Sequence, residues 1–334
     1  MKNASEGPLI DSFGRTVSYV RLSVTDRCDF RCVYCMSEDM TFVPRAKVLT
    51  LEELGLIARA FSELQVSKIR ITGGEPLVRK NVLQLFKEVG SLSGVKELVL
   101  TTNGSQLPHM ASSLKAAGVK RINISLDTLK ADKFKELTRV GDLNKVLSGI
   151  DAAIHAEFER IKINAVILKN RNDDEVTDLV NFAIERDLDI TFIEEMPLGD
   201  IGDRNRQEGY YSSDEIKADL ARSFTLIDST KTTGGPSRYV KIQGTKTRVG
   251  FISPHSHNFC STCNRVRVTA EGRLLLCLGQ EHSVDLRKVI RANPGDLGKL
   301  KQVIRDSMSI KPEGHDFDLS AKPILFRHMN STGG

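Results

Sequence analysis

Residues 19–35 run Tyr19-Val20-Arg21-Leu22-Ser23-Val24-Thr25-Asp26-Arg27-Cys28-Asp29-Phe30-Arg31-Cys32-Val33-Tyr34-Cys35, a β-rich segment that breaks into a loop with three cysteines spaced C-x3-C-x2-C. A strand is predicted at 19–24. From there to about residue 195 short β-rich runs alternate with amphipathic helical stretches, the pattern that builds a parallel sheet from βα units. The other predicted strands are 68–72, 97–101, 121–125, 162–168 and 190–194. The helix between the first two strands opens on Thr50, with Glu53 three residues on as a capping box, and carries Leu54, Ile57, Phe61 and Leu64 at helical spacing. Further helices are predicted at 82–89, 107–117, 143–158 and 176–186.

Roughly six βα units, against the eight of a complete TIM barrel, predict an α/β fold: a partial (β/α)6 TIM-type barrel, open on one side. The polar or Gly-rich motifs fall after strands each time, where parallel α/β folds place their chemistry: 25–35, 73–76, 101–104, 125–127 and 194–196. Beyond residue 197 the pattern changes. Residues 199–209 are charged and Gly-rich, a helix is predicted at 213–223, a loop at 230–235, and strands at 239–242 and 248–252. Helical patterns follow near 284–290 and 297–308. The expected division is a barrel core at 1–197 and a C-terminal region at 198–334.

The 334 residues include 48 Lys and Arg against 43 Asp and Glu, a net charge of +5 spread along the chain. With 14 Phe, 5 Tyr and no Trp there is no basic stripe interleaved with aromatics, so a zinc-stabilised nucleic-acid module is a poor reading. The first twenty residues contain neither a signal-peptide pattern nor a membrane-spanning run, and the expected location is the cytoplasm, with no membrane partner. Six cysteines in a reducing compartment point to metal or catalysis rather than disulfides. They fall in two groups: Cys28, Cys32 and Cys35, then C-x2-C-x13-C at Cys260, Cys263 and Cys277.

Three thiolates are one fewer than a four-iron cube requires, so each group would leave one iron open to a non-protein ligand. Half a zinc site is the alternative for the first group. For the second it is a zinc knot completed by His255 or His257. Gly73-Gly74-Glu75-Pro76 follows the second strand directly, and its glycines would let backbone approach a ligand.

The cysteine loop with this GGEP turn resembles the cofactor site of the radical S-adenosylmethionine superfamily. The run Asn258-Phe259-Cys260-Ser261-Thr262-Cys263-Asn264-Arg265-Val266-Arg267, with Cys277 and the terminal Gly333-Gly334, resembles the MoaA family of GTP 3′,8-cyclases, which begins molybdenum-cofactor synthesis. A twin-cluster peptide-modifying maturase would share the first motif but differ around the second. The family resemblance implies two [4Fe-4S] clusters, the second carried by the C-terminal extension, and S-adenosyl-L-methionine. That cofactor would be held near Tyr34, Gly74, Ser125 and Met196 and split to a deoxyadenosyl radical that attacks the ribose of GTP. It further implies that Arg21, Arg70, Thr101, Lys162, Arg265 and Arg267 hold GTP, that the second cluster's open iron binds guanine, and that Gly333 and Gly334 enter the catalytic cleft. The implied partners are an external electron donor and the next pathway enzyme, cyclic pyranopterin monophosphate synthase, with a homodimer as one option for assembly.

Overall fold

The computed structural model describes residues 7–199, 206–319 and 329–333. Six parallel strands open the fold: β1 (Tyr19–Ser23), β2 (Lys68–Thr72), β3 (Glu97–Thr102), β4 (Val119–Ser125), β5 (Arg160–Val166) and β6 (Asp189–Ile193). Helices α1 (Leu51–Glu63), α2 (Val82–Gly90), α3 (Leu107–Ala116), α5 (Leu143–His155) and α6 (Val176–Glu185) cover the outer face. The capping box on α1 forms as expected, Thr50 accepting from the Glu53 amide and Glu53 from the Thr50 amide. An additional helix, α4 (Ala131–Thr138), follows β4.

The C-terminal region does more than abut the barrel. Its strands β7 (Leu226–Ser229), β8 (Arg238–Ile242), β9 (Arg248–Ile252), β10 (Arg265–Val268), β11 (Arg273–Leu275) and β12 (Ser283–Asp285) enter the same sheet, in the order β12-β11-β10-β1-β2-β3-β4-β5-β6-β9-β8-β7. Strand β10 joins β1, and β9 joins β6, both in parallel. The parallel part therefore has eight strands, flanked by antiparallel hairpins. The expected helix near 284–290 begins only at Leu286; Ser283–Asp285 is strand, and Asp285 caps the helix Leu286–Ala292.

Every residue of β2 is buried, the continuous pattern of a sheet covered on both faces. Side chains alternate along a strand, so Ile69 and Ile71 enter the apolar core beneath the helices while Lys68, Arg70 and Thr72 face inward. The inner face is polar and the outer face apolar.

The two halves are tied through Glu194, just past β6. Its buried carboxylate accepts from the Ser213 amide (2.9 Å), the His255 amide (3.0 Å), the Ser256 amide (3.2 Å) and the Ser256 hydroxyl (2.5 Å). Glu194→Ala leaves these donors unmatched at about 1–3 kcal/mol for each that stays dry. The expected result is a loss on the order of 3 kcal/mol, read as a lower urea midpoint at unchanged slope.

Candidate active site

The inward face carries a block of positive charge set by strand register. Arg267 on β10 stands beside Arg21 on β1, which stands beside Arg70 on β2; two residues earlier the row is Arg265, Tyr19 and Lys68. Adjacent strands lie about 4.8 Å apart, so three guanidinium stems share one short row. A second row, Thr101, Asn123 and Lys162, crosses β3, β4 and β5. Arg70 donates to the Tyr19 hydroxyl and, at 2.7 Å, to the Thr101 hydroxyl. Lys162 donates to the Tyr239 hydroxyl at 3.3 Å.

This crowding moves ionisations. Burial, then Arg265, pulls Arg267 down to about 10, and burial with Arg267 pulls Arg21 well below its usual value. Burial also lowers Lys162. Although burial favours the neutral phenol, Arg70, Arg21 and Lys68 hold Tyr19 down to about 7. Such a site favours a polyanion, which would relieve the mutual repulsion.

Both cysteine groups line the cavity that this face encloses. All six thiols are free and half-buried. In the first group burial pushes Cys28 and Cys32 up and Cys35 up to about 12, so iron binding there would release protons. At Cys263 burial is outweighed by Arg265 and Lys311, which hold the thiol below its usual value; Lys311 Nζ lies 3.7 Å from its sulfur. No group of three or more His, Cys, Asp or Glu among the described residues is arranged to hold a single metal ion. His255 Nε2 meets the Glu195 carbonyl at 2.9 Å, and His257 Nε2 meets Asp214 at 2.9 Å. Soft thiolates in threes, facing a cavity, are a donor set suited to an iron–sulfur cube with one open iron.

The loops after the strands interlock. The Gly74 amide donates to the Thr25 carbonyl at 2.7 Å and the Glu75 amide to the Arg27 carbonyl at 2.8 Å. A Cβ at Gly74 would stand 2.5 Å from the Arg27 oxygen, so the close approach that glycine permits here is to the cysteine loop itself. Glu75, fully buried and pushed up to about 7 by burial, accepts from the Thr102 hydroxyl (2.8 Å) and the Asn103 amide (2.6 Å). Tyr34 donates to Asp127 at 2.7 Å.

The cavity gathers Tyr34, Gly74, Ser125 and Met196 as well as Arg21, Arg70, Thr101, Lys162, Arg265 and Arg267. Gly333 reaches it through its carbonyl, which accepts from Arg267 at 2.5 Å; Gly334 lies outside the described residues. Sequence reasoning missed Tyr19, Lys68, Asn123, Asn164 and His315, which also line the cavity. Asn164 Oδ1 and His315 Nε2 are buried with no hydrogen-bond partner among the described residues, as polar groups facing a ligand would be.

Residues 22–183 match the radical SAM superfamily, and 188–317 match a family described as Molybdenum Cofactor Synthesis C. A protein of Saccharophagus degradans named GTP 3′,8-cyclase is 60% identical over 326 residues, covering 98% of both chains. The chain belongs to the GTP 3′,8-cyclase family. Members from Pseudomonas putida strain W619 and Marinobacter nauticus share 59% and 58% identity with it, again over 98% of both chains. Streptococcus suis SuiB, solved with S-adenosylmethionine, aligns with a TM-score of 0.60 at 15% identity, over 87% of this chain and 68% of its own. SuiB bound to its precursor peptide SuiA aligns at 0.59 with 17% identity, over 96% of this chain and 77% of that one. Those two likenesses show the radical SAM fold; the cyclase family rests on the sequence relatives. Membership implies one [4Fe-4S] cluster and S-adenosylmethionine as cofactors. No helix among the described residues is long and apolar enough to cross a membrane.

Proposed function

We propose that the chain converts GTP to (8S)-3′,8-cyclo-7,8-dihydro-GTP, the first step of molybdopterin biosynthesis, with two [4Fe-4S] clusters and S-adenosyl-L-methionine. The observation that carries this reading is the shared cavity. Two cysteine groups more than 200 residues apart in sequence face it, together with Arg21, Arg70 and Arg267. When bound, the first cluster and S-adenosylmethionine supply one-electron cleavage of an unactivated C–H bond.

The chain's own residues divide the work. Cys28, Cys32 and Cys35 hold the first cluster, and the Gly74 turn, Tyr34, Ser125 and Met196 seat the cofactor beside it. Cys260, Cys263 and Cys277 would hold the second cluster, beside which the guanine would be seated. Arg21, Arg70, Lys162, Arg265 and Arg267 neutralise the triphosphate, with Thr101 donating a hydroxyl, since guanidinium forks match phosphate oxygens. Gly333 and Gly334 enter the cleft. Residues 1–197 thus act as the radical-forming core and 198–334 as the substrate-binding region. In the cell an external donor supplies electrons and cyclic pyranopterin monophosphate synthase takes the product, in the cytoplasm; a homodimer is compatible with this scheme.

The test is anaerobic reconstitution followed by incubation with S-adenosylmethionine, GTP and dithionite. An isomer of GTP with new retention and fragmentation, formed with 5′-deoxyadenosine, is the expected result. Consumption of S-adenosylmethionine with GTP unchanged in the presence of both clusters would sink the reading.

Tyr19 gives a pH signature. Its hydroxyl, held down to about 7 by the surrounding cations, ionises in the free protein and places a negative charge where phosphates bind. A bound polyanion opposes that ionisation, so GTP affinity falls as pH rises through 7. Tyr19→Phe removes this part of the decline. Titrations from pH 6 to 9 that superimpose for both proteins would remove Tyr19 from the phosphate site.

A further inference from the structure

A second concave site lies at the opposite end of the barrel from the cysteines, and the proposed reaction does not use it. It is lined by Arg121, Arg160, Lys231, Lys241, Lys246 and Arg248, with Glu159 as its one acidic lining residue. Arg121 and Arg160 stand near the starts of β4 and β5, and Arg248 opens β9. The cysteine loop follows the end of β1, which runs parallel to these strands. Four residues of strand span about 13 Å, so the cleft is remote from the thiols.

Three of its cations are already oriented. Glu97 takes Arg121 at 2.7 Å, and the buried Asp189 takes Arg160 at 2.8 Å and Arg248 at 2.6 Å. Lys231, Lys241 and Lys246 are exposed and form no ion pair among the described residues. Even with Glu159, Glu97 and Asp189 counted as neutralising, three positive charges converge unmatched on one cleft. Converging cations in a concavity select a compact polyanion, whereas a flat basic surface suits a protein or a duplex.

The cleft shares a wall with the catalytic cavity. Thr233 lines both. Its carbonyl accepts from Lys68 at 2.6 Å, and its hydroxyl lies 3.2 Å from the Tyr239 hydroxyl, which in turn meets Lys162. The next residue in the loop, Gly234, accepts from Asn264 at 3.3 Å, immediately before β10. The loop therefore spans from β8 to the foot of β10, with cavity cations on one side and the lysine cleft on the other.

We propose that this cleft is a second binding site for condensed phosphate, separate from the catalytic cavity and facing it across Thr233. The ligand chemistry is a di- or triphosphate group, from free inorganic phosphate chains or from the tail of a nucleotide. The proposal does not depend on the cyclase reading, because its readout is binding.

The reconstituted full-length protein is titrated calorimetrically with inorganic triphosphate, and in parallel with GTP and with guanosine. Two equivalents of inorganic triphosphate are expected for the wild type and one for the triple variant Lys231→Glu, Lys241→Glu, Lys246→Glu. The site left in the triple variant is the cavity, and Arg70→Ala in that background should weaken it by about one to two decades. A second equivalent of GTP identifies nucleotide as an accepted source; a second equivalent of inorganic triphosphate alone restricts the site to free phosphate chains. Guanosine should never fill the cleft. The cleft affinity should fall as salt rises from 50 to 200 mM, because the exposed lysines and the ligand are screened over about 10 Å at 0.1 M ionic strength. Whatever the number in the wild type, the same number of equivalents in the triple variant overturns the proposal, and that outcome does not bear on whether GTP is cyclised.

Discussion

Alanine at Cys28, Cys32 or Cys35 is expected to abolish reductive cleavage of S-adenosylmethionine, while Cys277→Ala keeps some uncoupled cleavage and loses GTP affinity and product. The reason is spatial. The first group sits in the loop between β1 and α1 and interlocks with the Gly73-Gly74-Glu75 turn; the second flanks the C-terminal strands, Cys260 and Cys263 just before β10 and Cys277 just after β11, near Arg265 and Arg267. Each triplet already has the fewest thiolates that hold a cube with one open iron, so no protein thiolate is spare. 5′-Deoxyadenosine should fall to background in the first set of variants. In Cys277→Ala the GTP dissociation constant should rise more than about tenfold, equivalent to 1.4 kcal/mol. Equal loss of cleavage in both sets, in protein whose circular dichroism matches the wild type, would remove the division of labour.

The barrel strands were legible because they are buried on both faces and read as short apolar runs between turn signals. All six occur within two residues of their expected ends. Helix α4 was not foreseen: half of Ala131–Thr138 is charged, and only Phe134 and Leu137 anchor it as apolar residues. Strands β7, β11 and β12 have three or four residues, too few to show alternation. The two extra parallel pairings are long-range, joining Arg265–Val268 to a strand that begins at Tyr19, and no local pattern encodes such a partner. Arg15 is similar: it donates to the Cys260 carbonyl at 2.8 Å across 245 residues, clasping the second cysteine loop.

The site was legible where chemistry demands a residue type. Cysteine spacing and the arginines after Cys263 carry that information, whereas Tyr19, Lys68, Asn123 and Asn164 do not announce themselves. A signal for them did exist. Each lies two residues from a candidate already chosen, Tyr19 from Arg21, Lys68 from Arg70, Asn123 from Ser125 and Asn164 from Lys162, so strand alternation puts each pair on one face. His315 has no such marker, because it follows no strand and reaches the cavity through the packing of residues 314–317 against Cys260 and Gly279.

Substitution of Gly333 by alanine is expected to lower GTP turnover by one to two decades while sparing both clusters and S-adenosylmethionine binding. The segment that carries it is packed: the helical turn Met329–Thr332 buries Asn330 and Thr332, and Asn330 donates to the Asp26 carbonyl at 2.8 Å, beside the first cysteine loop. Gly333 has φ of +77°, a conformation that side chains rarely adopt, and a Cβ there would stand 2.3 Å from Thr72 Cγ2 on the inner face of β2. The alanine variant must therefore move its backbone, and the Gly333 carbonyl leaves Arg267. A charge-assisted hydrogen bond is worth about 1.5–3 kcal/mol, which sets the expected range. Thr72→Ala removes the overlapping methyl but not the φ strain, so the double variant should recover part of the lost turnover. A chain shortened after Thr332 should behave like Gly333→Ala, and a synthetic peptide matching the last residues should restore some activity to it. Full-rate turnover by the shortened chain, or a double variant no better than Gly333→Ala, would separate this contact from catalysis.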